Sequence, residues 1–232
     1  MNDFAWTDFT WTDGLALVFF VVCWVGFDQY STRKAKQSPS LIGTLRIYRT
    51  WWSKRLCSRD NHAGDVTILT NLLRYVFFFA STTVFILAGL VALLGTTDKV
   101  VEVVSRLPFS GGFVVWVWEV KVVMLIYIFV YAFFKFTWSA WQFNATSILV
   151  GGTPPPSDSP EARRYAEAMS RLVALAGESF NHGIRAYYFS MAALSWFLHP
   201  WIFVFCSAWV TFVLYRREFH SHTLDALLVG VN

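Results

Sequence analysis

The sequence predicts an all-α fold: a polytopic integral membrane protein with four transmembrane helices and long helical cytoplasmic extensions. Three observations predict it. Hydrophobic residues make up 56% of the 232-residue chain and charged residues only 15%, against about 25% charge in a soluble domain. Four apolar runs approach or exceed the roughly 20 residues that a helix needs to cross a bilayer. The cations gather in two of the segments that separate those runs, as cytoplasmic loops do under the positive-inside rule. Together these exclude a soluble globule with a large core.

The elements follow in chain order. The first run, 11–27, is the shortest. Its lead-in, MNDFAWTDFTWTD, holds three Asp and no Lys or Arg. A secretory signal opens on positive charge, so this run reads as a retained helix. The second run is 71–94, the third 113–134 and the fourth 187–215. Backbone polar groups in hydrocarbon bond internally, which makes each run a helix. Between the first two, residues 41–57 place Leu45, Tyr48, Trp52 and Leu56 on one face and Arg46, Arg49 and Ser53 on another, with Ser40 as the cap. That pattern fits a helix in the inner headgroup region or a linker helix packed on the bundle. The third helix has no stop at Phe134 and continues in composition to Gly151. Its length of about 55 Å, at ~1.5 Å per residue, exceeds a hydrocarbon core of ~30 Å. GGTPPPSDSP then breaks it, and Ser159-Pro160-Glu161 restarts a helix with a cap, Pro in the first turn and an acid beside it. This last helix, amphipathic over about 160–180, runs toward the fourth span, with Gly177 and Gly183 as expected flex points. The whole, 1–232, reads as one membrane domain with cytoplasmic loops 28–70 and 136–186.

Charge sets the expected orientation. Loop 28–70 carries eight Lys/Arg and loop 136–186 four, against four in the remaining loop and tails. Both long loops therefore face the cytoplasm of a cell inner or plasma membrane, with both termini outside. Arg216 and Arg217 fit badly, because this arrangement puts them outside.

Ionisable groups inside a span cost several kcal/mol unless they pair, snorkel or line water. Glu119 and His199 are the candidate ion or ligand residues. Glu119 lies in the outer third of the third span, and Lys121 two positions on faces another side of the helix. His199 precedes Pro200 near the middle of the fourth span, where a kink is expected. At the inner face a polar layer is expected from Asp60, Asn61, His62, Asp65, Asn71, Arg74, Gln142, Asn144, Asn181, His182 and Arg185. It either clamps the helices or holds a ligand. Cys23, Cys57 and Cys206 form no CxxC and no metal-ligand spacing, so no metal or cofactor is expected.

Three roles compete. A homo-oligomeric channel or transporter subunit would use Glu119 and His199. An accessory or scaffold subunit would use the Trp-rich faces as interfaces. A lipid-acting enzyme, the least favoured, would draw on Asp60, His62, Asp65 and His182. Expected partners are the bilayer, above all anionic inner-leaflet lipids, and copies of the chain or other membrane subunits. Nucleic acid is not among them.

The stretches NLLRYVFFFAST (71–82), YAFFKFTWSAWQFNATSILVG (131–151), FNHGIRAYYF (180–189), HPW (199–201) and LYRREF (214–219), with RDN at 59–61, resemble domain-of-unknown-function family 599. The resemblance extends from about Leu15 to Phe219. It implies a bacterial or plant polytopic membrane protein of the inner or plasma membrane, and it brings no activity, ligand or catalytic residue with it.

Overall fold

The structure, a computed structural model, describes residues 11–35, 38–96, 115–157 and 159–231. Helix dominates, and the described residues include no strand. The helices are α1 (Trp11–Lys34), α2 (Leu41–Leu56), α3 (Ala63–Gly95), α4 (Val115–Gly151), α5 (Pro160–Leu194), α6 (Pro200–Phe219) and the short α7 (His222–Leu228). Three of them, α1, α3 and α4, are long and apolar enough to cross a membrane. Lys36, Lys99 and Arg106, counted in the loop charges, and the first ten residues lie outside the described residues.

The local signals explain the ends. Ser40 caps α2, its side chain accepting from Gly43 N, and Ser159 caps α5 in the same way from Ala162 N. α4 ends at Gly151, just before the triple proline. α4 and α5 then pack as one long antiparallel hairpin. Its rungs run from Ser139 Oγ donating to Ala176 O at 2.8 Å, through the Phe136–Phe180 and Phe129–Tyr187 ring contacts, to Lys121 beside Trp196. α3 lies across both helices, with Phe79 against Phe136 and Phe180 and Thr83 bonded to Tyr187 at 2.7 Å. Gly177 and Gly183 do not flex, because α5 is continuous through both. They make room instead. A Cβ at Gly183 would stand 2.5 Å from Phe136 Cε1, and one at Gly177 would meet the Arg49 guanidinium.

The fourth apolar run is not one helix. α5 ends at Leu194, a 3-10 turn occupies Ser195–Phe197, and α6 starts at Pro200. Proline excludes its predecessor from the α region and offers no N–H to the preceding turn. His199 accordingly adopts φ −165°, ψ 141° and caps α6, its side chain accepting from Trp201 N. The chain then reverses instead of kinking. Trp196 stacks on Phe203 with centroids 5.2 Å apart, and Phe203 meets Phe20. Further on, Tyr215 reaches Lys34 and Tyr30 at the end of α1. α6 thus runs parallel to α1, and α5 runs antiparallel to both. Trp11 and Phe219 therefore lie at opposite ends of the bundle, whereas the four-span reading expects them at the same end.

Candidate functional site

Polar side chains gather at three levels. At the end of the bundle where α1 begins, the buried Asp13 carboxylate accepts from Trp196 Nε1 at 2.7 Å. Lys121 Nζ donates to Trp196 O at 3.0 Å and lies 5.2 Å from the indole centroid. The carbonyls freed where α5 stops thus receive a cation from α4. His199 belongs to this turn, as a cap at the end of two helices and not at the middle of a span. Glu119 is half-buried on α4 near the same level.

A second centre joins α1 to α5. Arg185, 4% exposed, donates through Nη1 to Asp28 Oδ1 at 2.7 Å and through Nη2 to Ser31 Oγ at 2.8 Å. His182 Nδ1 lies 2.8 Å from the same Asp28 oxygen. Phe27 closes one side, its ring centroid 5.3 Å from the guanidinium carbon. Asp28 and Ser31 were not legible as site residues. The first apolar run ends at Phe27, but α1 continues to Lys34, and that extra stretch makes them neighbours on one helix face.

The expected single inner layer is therefore divided. His182 and Arg185 belong to the α1 centre. Gln142 bonds Ser179 at 3.0 Å whichever way its amide is turned. Asn181 Nδ2 donates back to Gly177 O at 2.9 Å. Asn71, Arg74 and Asn144 are exposed and turn away from the bundle. The acid/base set of Asp60, His62, Asp65 and His182 is not assembled, because His182 is taken by Asp28 while Asp60 is exposed.

The third level lies beyond, where α2 meets the start of α3. α2 docks on α5 largely through the face read as polar. Thr50 bonds Ser170 at 2.9 Å, Arg46 pairs with Glu178 at 3.6 Å, and Thr44 and Ser53 are buried. Burial holds the Arg49 guanidinium below its ordinary pKa, opposed by the charge of Glu178. α2 is thus packed on the bundle through α5. This leaves Tyr48, Trp51 and Trp52 to turn toward α3. There Trp52 Nε1 donates to Asp65 Oδ1 at 2.7 Å and Arg59 Nη2 to the same oxygen at 3.0 Å. The second oxygen, Oδ2, is buried without a hydrogen bond and faces His62 Nδ1, likewise unbonded, at 3.6 Å. Asn61 Oδ1 accepts from Ala63 N at the head of α3. Around these groups opens a cavity of about 590 Å³ whose walls include Trp51, Arg55, Arg59, Gly64 and Ile68. Tyr48 Oη donates to Leu227 O at 2.8 Å, which sets the chain end beside it. Among the described residues no group of three or more His, Cys, Asp or Glu is arranged to hold a metal.

A family model described as "Protein of unknown function, DUF599" matches residues 15–223. No curated protein and no solved structure matches the chain.

Proposed function

We propose, for a chain that belongs to the DUF599 family, a five-crossing membrane scaffold: an accessory subunit that presents a basic, aromatic cytoplasmic end to other membrane components. One observation carries the reading. Ionisable groups at membrane depth in α1, α4 and α5 are taken up inside the bundle, by one another around Asp28 and by Trp196 at Asp13 and Lys121. Asp28 is taken by Arg185 and His182, and Asp13 with Lys121 closes the end of α5. Charges spent on holding helices together do not line a water-filled path. The chemistry left open lies at the α2–α3 end.

The same contacts support a membrane placement. Counted from Asp13, ~30 Å of hydrocarbon takes about 20 helical residues, which brings α1 to Lys34. The crossings are then α1, α3, α4, the second half of α5, and α6. Among the described residues Lys121 is the one cation at the Asp13 end, and Arg216 and Arg217 join the cations at the other. That end is the cytoplasmic one, with the start of α1 outside and the end of α6 inside.

A homo-oligomeric channel or transporter subunit is the second reading, favoured by Glu119, half-buried within an apolar helix. Mass and composition of the complex extracted gently from its native membrane separate the two. A stoichiometric assembly with other chains supports the scaffold. A symmetric assembly of this chain alone supports the channel, and Glu119→Gln then has to alter conductance. A tag after Val231 that is protected from external protease in intact cells supports the placement, and an accessible tag overturns it.

A further inference from the structure

α7 is held differently from the other helices. α2, on which it lies, is fastened twice without it. Thr50 bonds Ser170 of α5 at 2.9 Å, and Ile42 N donates to the buried Glu218 carboxylate at the end of α6 at 3.1 Å. α7 runs only from His222 to Leu228. An isolated helix needs about 12–15 residues to be even marginally stable, so α7 is helical because it is docked. His220 and Ser221 join it to α6, and Ser221 caps it, accepting from Leu224 N. Its inward side carries Leu224, which is buried, and the half-buried Leu227 and Leu228, while Asp225 and Ala226 are exposed. That is one apolar stripe at i, i+3 and i+4.

The seat lies on the side of α2 that α5 does not use. Tyr48 and Trp51 stand one turn apart there and meet edge to face, with centroids 5.2 Å apart. Tyr48 fixes the docked segment. Its hydroxyl donates to Leu227 O at 2.8 Å, and a Cβ at Gly230 would run into that hydroxyl. Tyr48, Trp51 and Gly230 also line the cavity between α2 and α3, so seat and cavity are continuous. Tethered to the same chain, α7 meets its seat at an effective concentration on the order of millimolar. A few anchors suffice to hold it at that concentration, and an outside competitor has to overcome it.

We propose that α7 is an internal occupant of a helix-docking seat on α2, and that the external ligand of the seat is an amphipathic helix of a partner chain with apolar residues at i, i+3 and i+4. The spacing is that of Leu224, Leu227 and Leu228, the segment that the seat already holds. Helices dock in grooves through a few such anchors. Undocking of α7 frees the seat, and α2 stays in place because α5 and α6 hold it. The proposal takes from the accessory-subunit reading only that a partner exists, which the composition of the extracted complex tests separately.

The experiment uses the purified full chain in detergent, with hydrogen exchange and a fluorescein-labelled peptide of residues 221–231. The amides of α7 should exchange well before those of α2, as a separate unit of low stability. Tyr48→Phe removes one neutral hydrogen bond and should quicken α7 exchange about three- to tenfold. Gly230→Ala should quicken it alone and add nothing to Tyr48→Phe, because the hydroxyl that it strikes is then gone. Leu224→Asp should release α7 and leave α2 protected. The peptide should bind the Leu224→Asp chain saturably and the wild type at least about tenfold more weakly, since the tethered segment competes. A peptide with Leu224→Ala, Leu227→Ala and Leu228→Ala should bind neither. Exchange of α7 in step with α2 would overturn the undocking. Equal binding of the peptide to both chains would show that α7 does not fill the seat. No binding to either chain, or equal binding of the Ala-substituted peptide, would remove the seat itself.

Discussion

Asp28→Asn is the most informative single change, because it keeps the shape of the α1–α5 centre and removes its compensating charge. Arg185 is buried and rests on two acceptors, Asp28 at 2.7 Å and Ser31 at 2.8 Å. At 2.7 Å and an effective dielectric of about 20, two unit charges attract by roughly 6 kcal/mol before desolvation is counted. The variant leaves an oxygen for the hydrogen bond but strands the guanidinium, which costs about 3–5 kcal/mol for a buried pair that loses one partner. Arg185→Gln should cost less. The Asp28 side chain is 29% exposed and still has His182 at 2.8 Å, so its charge is not left alone.

The assay is a double-mutant cycle read by unfolding in mixed micelles, with helix content followed by circular dichroism. The double variant carries neither charge, so it should be more stable than the two single losses sum to, by about 2 kcal/mol within the usual range for contacting pairs. Losses that add to within ~0.5 kcal/mol would refute the pairing. A cost for Asp28→Asn below about 1 kcal/mol, the level of an exposed ion pair, would show that Arg185 is effectively solvated.

Two further changes test the packing. Gly183→Ala should destabilise in the same assay, because its Cβ would lie 2.5 Å from the enclosed Phe136 ring and overpacking of about 1–3 kcal/mol outweighs a helix-propensity gain of about 1; Gly26→Ala, which meets nothing within 4 Å, should stabilise by up to that gain. Cys57 is buried, and burial pushes its thiol pKa up, so the folded protein holds less thiolate at pH 8 than a free thiol does; maleimide should label Cys57 more slowly in the native than in the unfolded chain, and native labelling should quicken as pH rises.

What was legible in the sequence was local. Serines 40 and 159 announced two helix starts, and the Gly-Gly-Thr-Pro run announced the end of α4, because caps and prolines act within a few residues. The apolar face of α5 was legible for the same reason, as a periodicity within one helix. The pairing of Asp28 with Arg185 spans 157 positions, and nothing in either neighbourhood names the other. α2 was half legible: its amphipathic pattern was plain, but hydroxyls and Arg49 form its inner side. Polar side chains that find partners on another helix pack as well as apolar ones. The inner polar layer is divided for a geometric reason. Helices much longer than a bilayer is thick spread their polar residues over several levels, and distance along the chain is a poor guide to depth when one helix starts well below another.

The Pro200 region carries the largest consequence. A proline in an apolar run is compatible with a kinked span or with two limbs, and hydropathy does not separate them. Charge does. With one kinked span, Arg216 and Arg217 sit on the side that carries almost no other cation. With His199 extended and capping α6, the same two residues follow Tyr215, which accepts from Lys34 at the end of α1, and so come to the end of the bundle that carries the other basic residues. The poor fit of Arg216 and Arg217 to a four-span chain is thus itself evidence for the reversal, carried by the amino-acid sequence. Those charges belong to the same physical argument as the break, because a cation near the end of an apolar helix reports the side on which that helix finishes.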